Sequence, residues 1–288
     1  MAGFSIEDAL KSGFRLARRE WKAVLAWGLG TLVLLAVTEF MTYGGVLPEY
    51  MRVVGDDPEA AQALIEKATE GETLGVSILA FILNGAWAIL LYGAVARAVL
   101  RPQDRRFFYL RLGRGELWLT ASSLVAMLLI GMGLLVVGFA AGYLIGFMAG
   151  VTGLPNWQWG VLIGLPVVAG VMYVLARFFP IWIQAFDEER FVLLDAWRLT
   201  RGQGWRIVLL VLALLFMVLI LFVMMMLPLA LLIVVLMGLG SLGGAALAVA
   251  VTVGAVLGLG LTVALYGLGY TVAIAPYVEV YRRLKASA

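Results

Sequence analysis

The sequence lacks cysteine and histidine altogether, and only 14% of its 288 residues are charged. Without cysteine there is neither a disulfide framework nor a thiolate metal site, and without histidine the commonest general base and metal ligand is missing. These absences exclude the usual zinc centres, haem ligation by histidine and catalytic triads with a histidine base. We therefore predict no metal, no cofactor and no catalytic activity.

What the sequence has in abundance is apolar residues, which make up 63% of it. The mean hydropathy of +1.01 excludes a soluble globular domain and indicates a polytopic membrane protein. A helix needs about 20 apolar residues to cross the hydrocarbon core of a bilayer. Segments of that length or longer predict six spans, at about 22–43, 74–100, 117–148, 158–185, 205–238 and 245–281.

A short motif occurs three times, each time directly before an apolar segment. It reads RLARREW at 15–21, RLGRGELW at 111–118 and RLTRGQGW at 198–205. Internal repeats of this kind point to repeated structural units. We predict an all-α polytopic membrane protein, a single membrane domain over 1–288, with six transmembrane helices arranged as three hairpin repeats. The repeat units are 4–100, 103–185 and 187–285.

Each repeat unit is expected to open with an amphipathic helix that lies in the cytoplasmic interface. The first begins after Ser5 and sets Ile6, Leu10, Gly13 and Phe14 against basic residues, so that its apolar side would face the acyl chains. An ordinary cytosolic extension of the first span is the alternative. The second and third such helices are predicted over 105–114 and 187–199, the third with acids in its first turn.

Positive charge is confined to a few segments. Of the 21 Lys and Arg residues, 19 fall in 11–22, 97–114, 177–206 and 282–285. Cytoplasmic segments of membrane proteins are enriched in Lys and Arg, which predicts that both termini and both internal motif segments are cytoplasmic. The hydrophilic segment 44–73 is acidic and is predicted to be a periplasmic loop containing a short helix that starts at Pro58.

The repeated motif suits a phospholipid headgroup. Two guanidinium groups three residues apart share a helix face, guanidinium binds phosphate through paired hydrogen bonds, and tryptophan prefers the membrane interface. The alternative is that the arginines only set topology and the tryptophans only anchor. The candidate headgroup ligands are Arg15, Arg18, Arg111, Arg114, Arg198 and Arg201, and the candidate anchors are Trp21, Trp118 and Trp205.

Small residues at four-residue steps predict close helix packing. They form one stripe in the third span and another in the sixth, and a second copy of the chain, another membrane protein or another helix of the same chain are all possible partners. A lone Asn84 in the second span is expected to hydrogen-bond a neighbouring helix, and the alternative is that it lines a polar path. The stripe residues are Gly138, Gly142, Gly146, Gly150, Gly254 and Gly258.

The segment LLDAWRLTRGQGWRIVLLVLALL, its echo GFRLARREWKAVLAWG and the ending YRRL after Pro276 resemble a bacterial membrane-protein group. That group is typified by the membrane-spanning domain of glycerophosphodiester phosphodiesterases and includes uncharacterised stand-alone relatives. The resemblance implies the membrane scaffold and a bacterial inner-membrane location. The hydrolase of that group resides in a separate soluble barrel with acidic and histidine residues, which this chain lacks.

Three classes of function are compatible with this composition to different degrees. The first is a non-enzymatic envelope protein that binds anionic phospholipid at the cytoplasmic leaflet and serves as a scaffold or accessory subunit. The alternative is a carrier or scramblase for a lipid or other amphiphile. An enzyme ranks last, because no paired carboxylates and no serine with an identifiable base are visible. Nucleic acid is not an expected partner, since a span follows each basic segment at once.

Overall fold

The computed structural model describes residues 4–54, 57–70, 74–238 and 245–287, and the regular elements in these ranges are all helical. Six of the helices are long and apolar enough to cross a membrane, which confirms the predicted number of spans. In chain order the helices are α1 (Ile6–Arg19), α2 (Trp21–Tyr43), α3 (Leu47–Val53), α4 (Pro58–Glu70), α5 (Leu74–Leu100), α6 (Arg114–Thr152), α7 (Asn156–Phe178), α8 (Ile181–Glu188), α9 (Leu194–Leu199), α10 (Gly204–Gly238) and α11 (Ala245–Ser287).

The spans begin and end where local backbone chemistry allows. α6 is longer than the predicted third span and ends at Gly153, whose φ of 69° is left-handed and suits glycine. Pro155 then precedes α7, so α6 and α7 form a tight hairpin. The predicted fourth span is divided, because Pro180 cannot donate a helical hydrogen bond and α8 starts after it.

The hydrophilic segment contains two helices rather than one. α4 starts at Pro58 as predicted, and the side chain of Asp57 accepts a hydrogen bond of 3.0 Å from the N–H of Ala60 in its first turn. α3 was not predicted. The parts of the predicted loop at 55–56 and 71–73 lie outside the described residues.

The chain divides into two compact units, which are described separately. The first unit comprises Met1–Arg19, Gly93–Ile220 and Thr271–Ala288, and the second comprises Glu20–Tyr92 and Leu221–Tyr270. All six motif arginines, and the complete second and third motif copies, belong to the first unit.

Helices α2 and α11 touch backbone to backbone in the second unit. A Cβ added at Gly28 would overlap the carbonyl of Val263, and one added at Gly267 would overlap the carbonyl of Val24. Glycine is required at both positions because any side chain would separate the two helices. The sequence pattern did not single out either residue.

Within the described part of the chain the α6 stripe packs against no other helix, and its packing against a second copy or another membrane protein stays a prediction. Gly138, Gly142, Gly146 and Gly150 are exposed, and a Cβ added at any of them would meet no described atom within 4 Å. The reason is that α7 lies along a different face of α6, which carries Ala126, Ile130 and Val137. In α11, by contrast, Gly254 is buried and Gly258 is half-buried.

Gly267→Ala should destabilise the protein, because the new methyl group cannot fit beside the Val24 carbonyl. Overpacking of this kind costs about 1–3 kcal/mol. Gly269→Ala is the matched control, since a Cβ there would meet nothing within 4 Å. Thermal unfolding in detergent should give a lower midpoint for Gly267→Ala only, and equal midpoints would contradict the close contact.

Candidate functional site

The arginines and tryptophans of all three motif copies are exposed. Each of the six arginines is classed as exposed, and Trp21, Trp118 and Trp205 expose between 38% and 63% of their surface. These side chains therefore stand where headgroups could reach them. Exposure alone does not distinguish lipid binding from anchoring, so the partners of each arginine decide what it can do.

The first arginine of each copy already has a contact within the chain. Arg15 donates a hydrogen bond of 3.0 Å to the carbonyl of Asp8, and Arg111 forms an ion pair with Asp104. Arg198 stands 3.8 Å from a carboxylate oxygen of Asp195. The contacts of Arg15 and Arg111 hold these two side chains close to their own segments, whereas Arg198 has only a distant carboxylate.

The second arginine of each copy differs. Arg18, Arg114 and Arg201 have neither an ion pair nor a hydrogen bond from the side chain within the described ranges. Arg114 also begins α6, where the positive end of the helix dipole disfavours a cation. An uncompensated charge repeated at this position is chemically suited to an anion from outside the chain.

The second motif segment is held by a buried arginine. Arg97, 2% exposed at the end of α5, donates hydrogen bonds to the carbonyls of Tyr109 at 2.6 Å and Arg111 at 3.0 Å, and forms an ion pair with Glu116. Glu116 also accepts a 2.9 Å hydrogen bond from the N–H of Gly113. The guanidinium and its partner carboxylate thus fix the backbone at residues 109, 111 and 113, where the motif begins.

The predicted interfacial helix over 105–114 is therefore wrong. Residues Arg106–Tyr109 form a single 3-10 turn, with Phe107 and Phe108 at φ of 49° and 56°, and the chain is extended at Leu110. The carbonyls that a helix would use internally are bonded by Arg97 instead. Satisfying a buried guanidinium outweighs the helical preference of an exposed segment.

The third motif segment is held in a similar way by Arg177 at the end of α7. Its guanidinium donates to the carbonyl of Trp197 at 2.5 Å and to the hydroxyl of Thr200 at 3.3 Å. The same guanidinium lies 3.9 Å from the centre of the Trp197 ring, a cation–π contact. Thr200 in turn donates to the carbonyl of Arg177 at 3.1 Å.

The predicted third interfacial helix is also wrong, because α8 ends at Glu188 and only the short α9 follows. Glu189 has a φ of 50°, which stops α8. Asp187 does not start a new helix but accepts hydrogen bonds from the hydroxyl of Tyr281 at 3.0 Å and from Lys285 at 2.7 Å. The acids expected in a first turn thus tie α8 to the end of α11.

Asp195 is shared between two arginines. Arg190 donates to it at 2.8 Å, while Arg198 is 3.8 Å away, beyond hydrogen-bonding distance. The hydrogen bonds that Arg190 donates to Asp195, and then to Glu188, raise the pKa of Arg190 above its ordinary value. Asp195 is therefore engaged mainly by Arg190, which leaves much of the Arg198 charge uncompensated.

The helix α1 exists as predicted, but most of its apolar face is covered by protein. Ala9, Gly13 and Leu16 are buried, and a Cβ added at Gly13 would lie 2.8 Å from the Cα of Val272 in α11. Of the residues expected to meet the acyl chains, Gly13 is buried, so the expectation is wrong there, and Ile6 and Leu10 are half-buried against other side chains of the protein. Phe14, 44% exposed, is the large apolar side chain of α1 that remains uncovered.

An arginine near the end of a long helix anchors each motif-bearing segment. Arg97 of α5 holds the second copy, and Arg177 of α7 holds the third. Arg283 of α11 reaches Asp8 of α1, the helix that carries the first copy, at 3.4 Å. These roles are not evident from the sequence, because an arginine at the end of a span is equally expected as a topology signal. The Glu three residues after Gly113 was the one available sign of a cap.

No protein-family model, curated protein or solved structure matches the chain. Across the part of the chain that the structure describes, no group of three acidic side chains is arranged to hold a metal ion. The chemistry of the site is thus that of exposed guanidinium groups and tryptophans on connections fixed by buried arginines.

Arg97→Met should be strongly destabilising, because it leaves the Glu116 carboxylate buried without its cation. Breaking a buried pair costs about 3–5 kcal/mol, whereas replacing both partners with apolar residues can be neutral. The double variant Arg97→Met/Glu116→Leu should therefore recover part of the loss. Unfolding midpoints in detergent measure both effects.

Asp104→Asn is the control for this comparison, because it breaks the exposed pair with Arg111. Exposed pairs contribute about 0–1 kcal/mol, so this variant should unfold close to the parent protein. If Arg97→Met were as mild as Asp104→Asn, the anchoring role of Arg97 would be refuted.

Cysteine substitutions can test on which side of the membrane the connections lie, since the chain has no cysteine of its own. Leu112→Cys and Phe191→Cys, both at exposed positions, should react with an impermeant maleimide from the same side. Leu154→Cys, in the α6–α7 turn, should react from the other side. Labelling of residues 112 and 191 from opposite sides would contradict the common placement of the two motif segments.

Proposed function

We propose that this chain is a non-enzymatic inner-membrane protein that binds anionic phospholipid at the cytoplasmic leaflet through its repeated arginine motif and serves as a scaffold or accessory subunit of the envelope. The proposal rests on the uncompensated charge of the second arginine of each copy. Arg18, Arg114 and Arg201 are exposed and have no acidic partner within the described ranges, whereas the first arginines of the first two copies, Arg15 and Arg111, are engaged.

A phosphate group would give these arginines the anionic partner that they lack within the described ranges. Guanidinium donates paired hydrogen bonds to phosphate oxygens, and these charge-assisted bonds are stronger than neutral ones. The neighbouring exposed tryptophans, Trp118 and Trp205, are suited to the headgroup level of a bilayer. Basic residues beside an anionic leaflet are stabilised by about 1 kcal/mol each.

The fixed shape of the connections also favours binding. Arg97 and Arg177 hold the backbone of the second and third copies, so Arg114 and Arg201 are presented from anchored segments. Binding to such a segment loses less conformational entropy than binding to a flexible one. The anchored backbone of these two copies therefore favours tight lipid binding over a transient contact.

Transport of a lipid or other amphiphile is less well supported. Coupled transporters use ionisable side chains inside the membrane, and here Arg97 and Arg177 are taken up by backbone contacts at helix ends. The expected contact of Asn84 with another helix is replaced by a 2.8 Å hydrogen bond to the carbonyl of Ala80 in its own helix. Neither these arginines nor Asn84 therefore supply a polar path for a substrate through the membrane.

The double variant Arg114→Gln/Arg201→Gln should bind anionic phospholipid more weakly than the parent. Each of the two motif copies loses one interfacial cation at about 1 kcal/mol, which predicts a roughly fivefold rise in Kd at each site. Native mass spectrometry from nanodiscs of phosphatidylglycerol and phosphatidylcholine counts the retained lipids directly.

The control is Arg52→Gln/Lys67→Gln, which removes the same charge from exposed positions outside the motif. It should retain as much phosphatidylglycerol as the parent. Equal retention by all three proteins would refute the motif as a headgroup site, and equal loss in both variants would show a general charge effect instead.

A further inference from the structure

An apolar groove runs between α6 and α7 in the first unit. Its volume is about 560 Å³, and the side chains that line it are all hydrocarbon. Because these helices are long and apolar enough to cross a membrane, the groove would be surrounded by lipid. Among the residues that line it are Leu129, Gly133 and Val137 of α6, Gly170 and Val174 of α7, and Leu194 of α9.

Two glycines keep the groove open. A Cβ added at Gly133 or at Gly170 would meet no described atom within 4 Å, so larger side chains there would project into free space rather than into packed protein. At one end the groove is bounded by Ala126 and Ile181, which belong to a buried apolar cluster. The groove is thus a defined site with a closed end.

A cation follows one of the lining residues along the same helix. Leu194 lines the groove, and Arg198 follows it by four residues in α9, so the two side chains share a face of the helix. The Arg198 side chain is 81% exposed, and its nearest carboxylate oxygen, on Asp195, is 3.8 Å away. Apolar lining and uncompensated positive charge therefore adjoin, as an anionic amphiphile requires.

The volume fits one acyl chain. A methylene group is about as large as a water molecule, which takes up ~30 Å³ of liquid, so 560 Å³ holds on the order of 18 such groups. A lipid also has a phosphate for the exposed Arg198 beside the lining residue Leu194, whereas a purely apolar helix face has no anionic group for it. This charge complementarity favours a lipid chain over a helix of a second copy.

We propose that one anionic phospholipid binds here, with an acyl chain in the α6–α7 groove and its phosphate on Arg198. This inference rests on the proposed function and deepens it by assigning one lipid to the third motif copy. It also gives Arg198 a role distinct from that of Arg201, because only Arg198 shares a helix face with a residue that lines the groove.

The test fills the groove from two directions. Gly133→Leu/Gly170→Leu adds two side chains to its lining, and Leu194→Trp enlarges a third residue from another helix. The probe is phosphatidylglycerol with a diazirine at the end of one acyl chain, in nanodiscs, with mass spectrometry of the labelled peptides. Both variants should lower labelling of 126–137 and 167–178 by roughly tenfold, equivalent to about 1.4 kcal/mol.

The matched control is Gly138→Leu/Gly164→Leu. These glycines lie in the same two helices, an added Cβ at either meets nothing within 4 Å, and neither lines the groove. The control should label like the parent, and unfolding midpoints of all variants should stay together. Labelling that falls equally in control and groove variants would overturn the proposal.

A third variant, Arg198→Gln, separates this inference from the proposed function. It should reduce labelling by phosphatidylglycerol more than labelling by the phosphatidylcholine analogue. If Arg114→Gln/Arg201→Gln loses lipid while the groove variants label normally, the groove assignment fails and the proposed function stands. If the groove variants lose labelling but Arg198→Gln does not, the phosphate contact with Arg198 is refuted. If crosslinks join two copies across the groove, the lipid occupant is refuted.

Discussion

The ion pair between Arg97 and Glu116 is the interaction on which the first unit most depends. Removing two charges from water costs several kcal/mol for each, and their attraction offsets this only when the remaining hydrogen bonds are satisfied. Here the carbonyls of Tyr109 and Arg111 and the N–H of Gly113 satisfy them. The need to hydrogen-bond this buried pair sets the backbone of the segment between α5 and α6. With that backbone, Arg114 is exposed at the start of α6.

The same solution recurs with different chemistry in the other motif-bearing segments. Arg177 uses a carbonyl, a hydroxyl and the Trp197 ring, whereas Arg283 uses the carboxylate of Asp8. An arginine near a helix end can reach backbone carbonyls of a following segment because its side chain is long and donates in several directions. The proposed function depends on the contrast between these engaged arginines and the uncompensated ones of the motif.

Glycine has two opposite uses in this chain. Gly28 and Gly267 let two helices touch, and a methyl group would part them. Gly133 and Gly170 instead leave space that no described atom fills, which keeps the α6–α7 groove open. A spacing rule cannot separate these uses, because both occur in apolar helices and the difference lies in what stands opposite.

The sequence by itself determined the six apolar helices, the bounds of α2 and α5, the helix start at Pro58 and the exposure of the motif arginines. Hydropathy and caps are local properties, so they could be read from the chain. Only the tertiary structure decided which helix meets which, because the shapes around 105–114 and 187–193 follow from Arg97 and from the tie between Asp187 and α11. A buried charge satisfied by residues distant in sequence overrides local helix preference, and no local pattern encodes that partner.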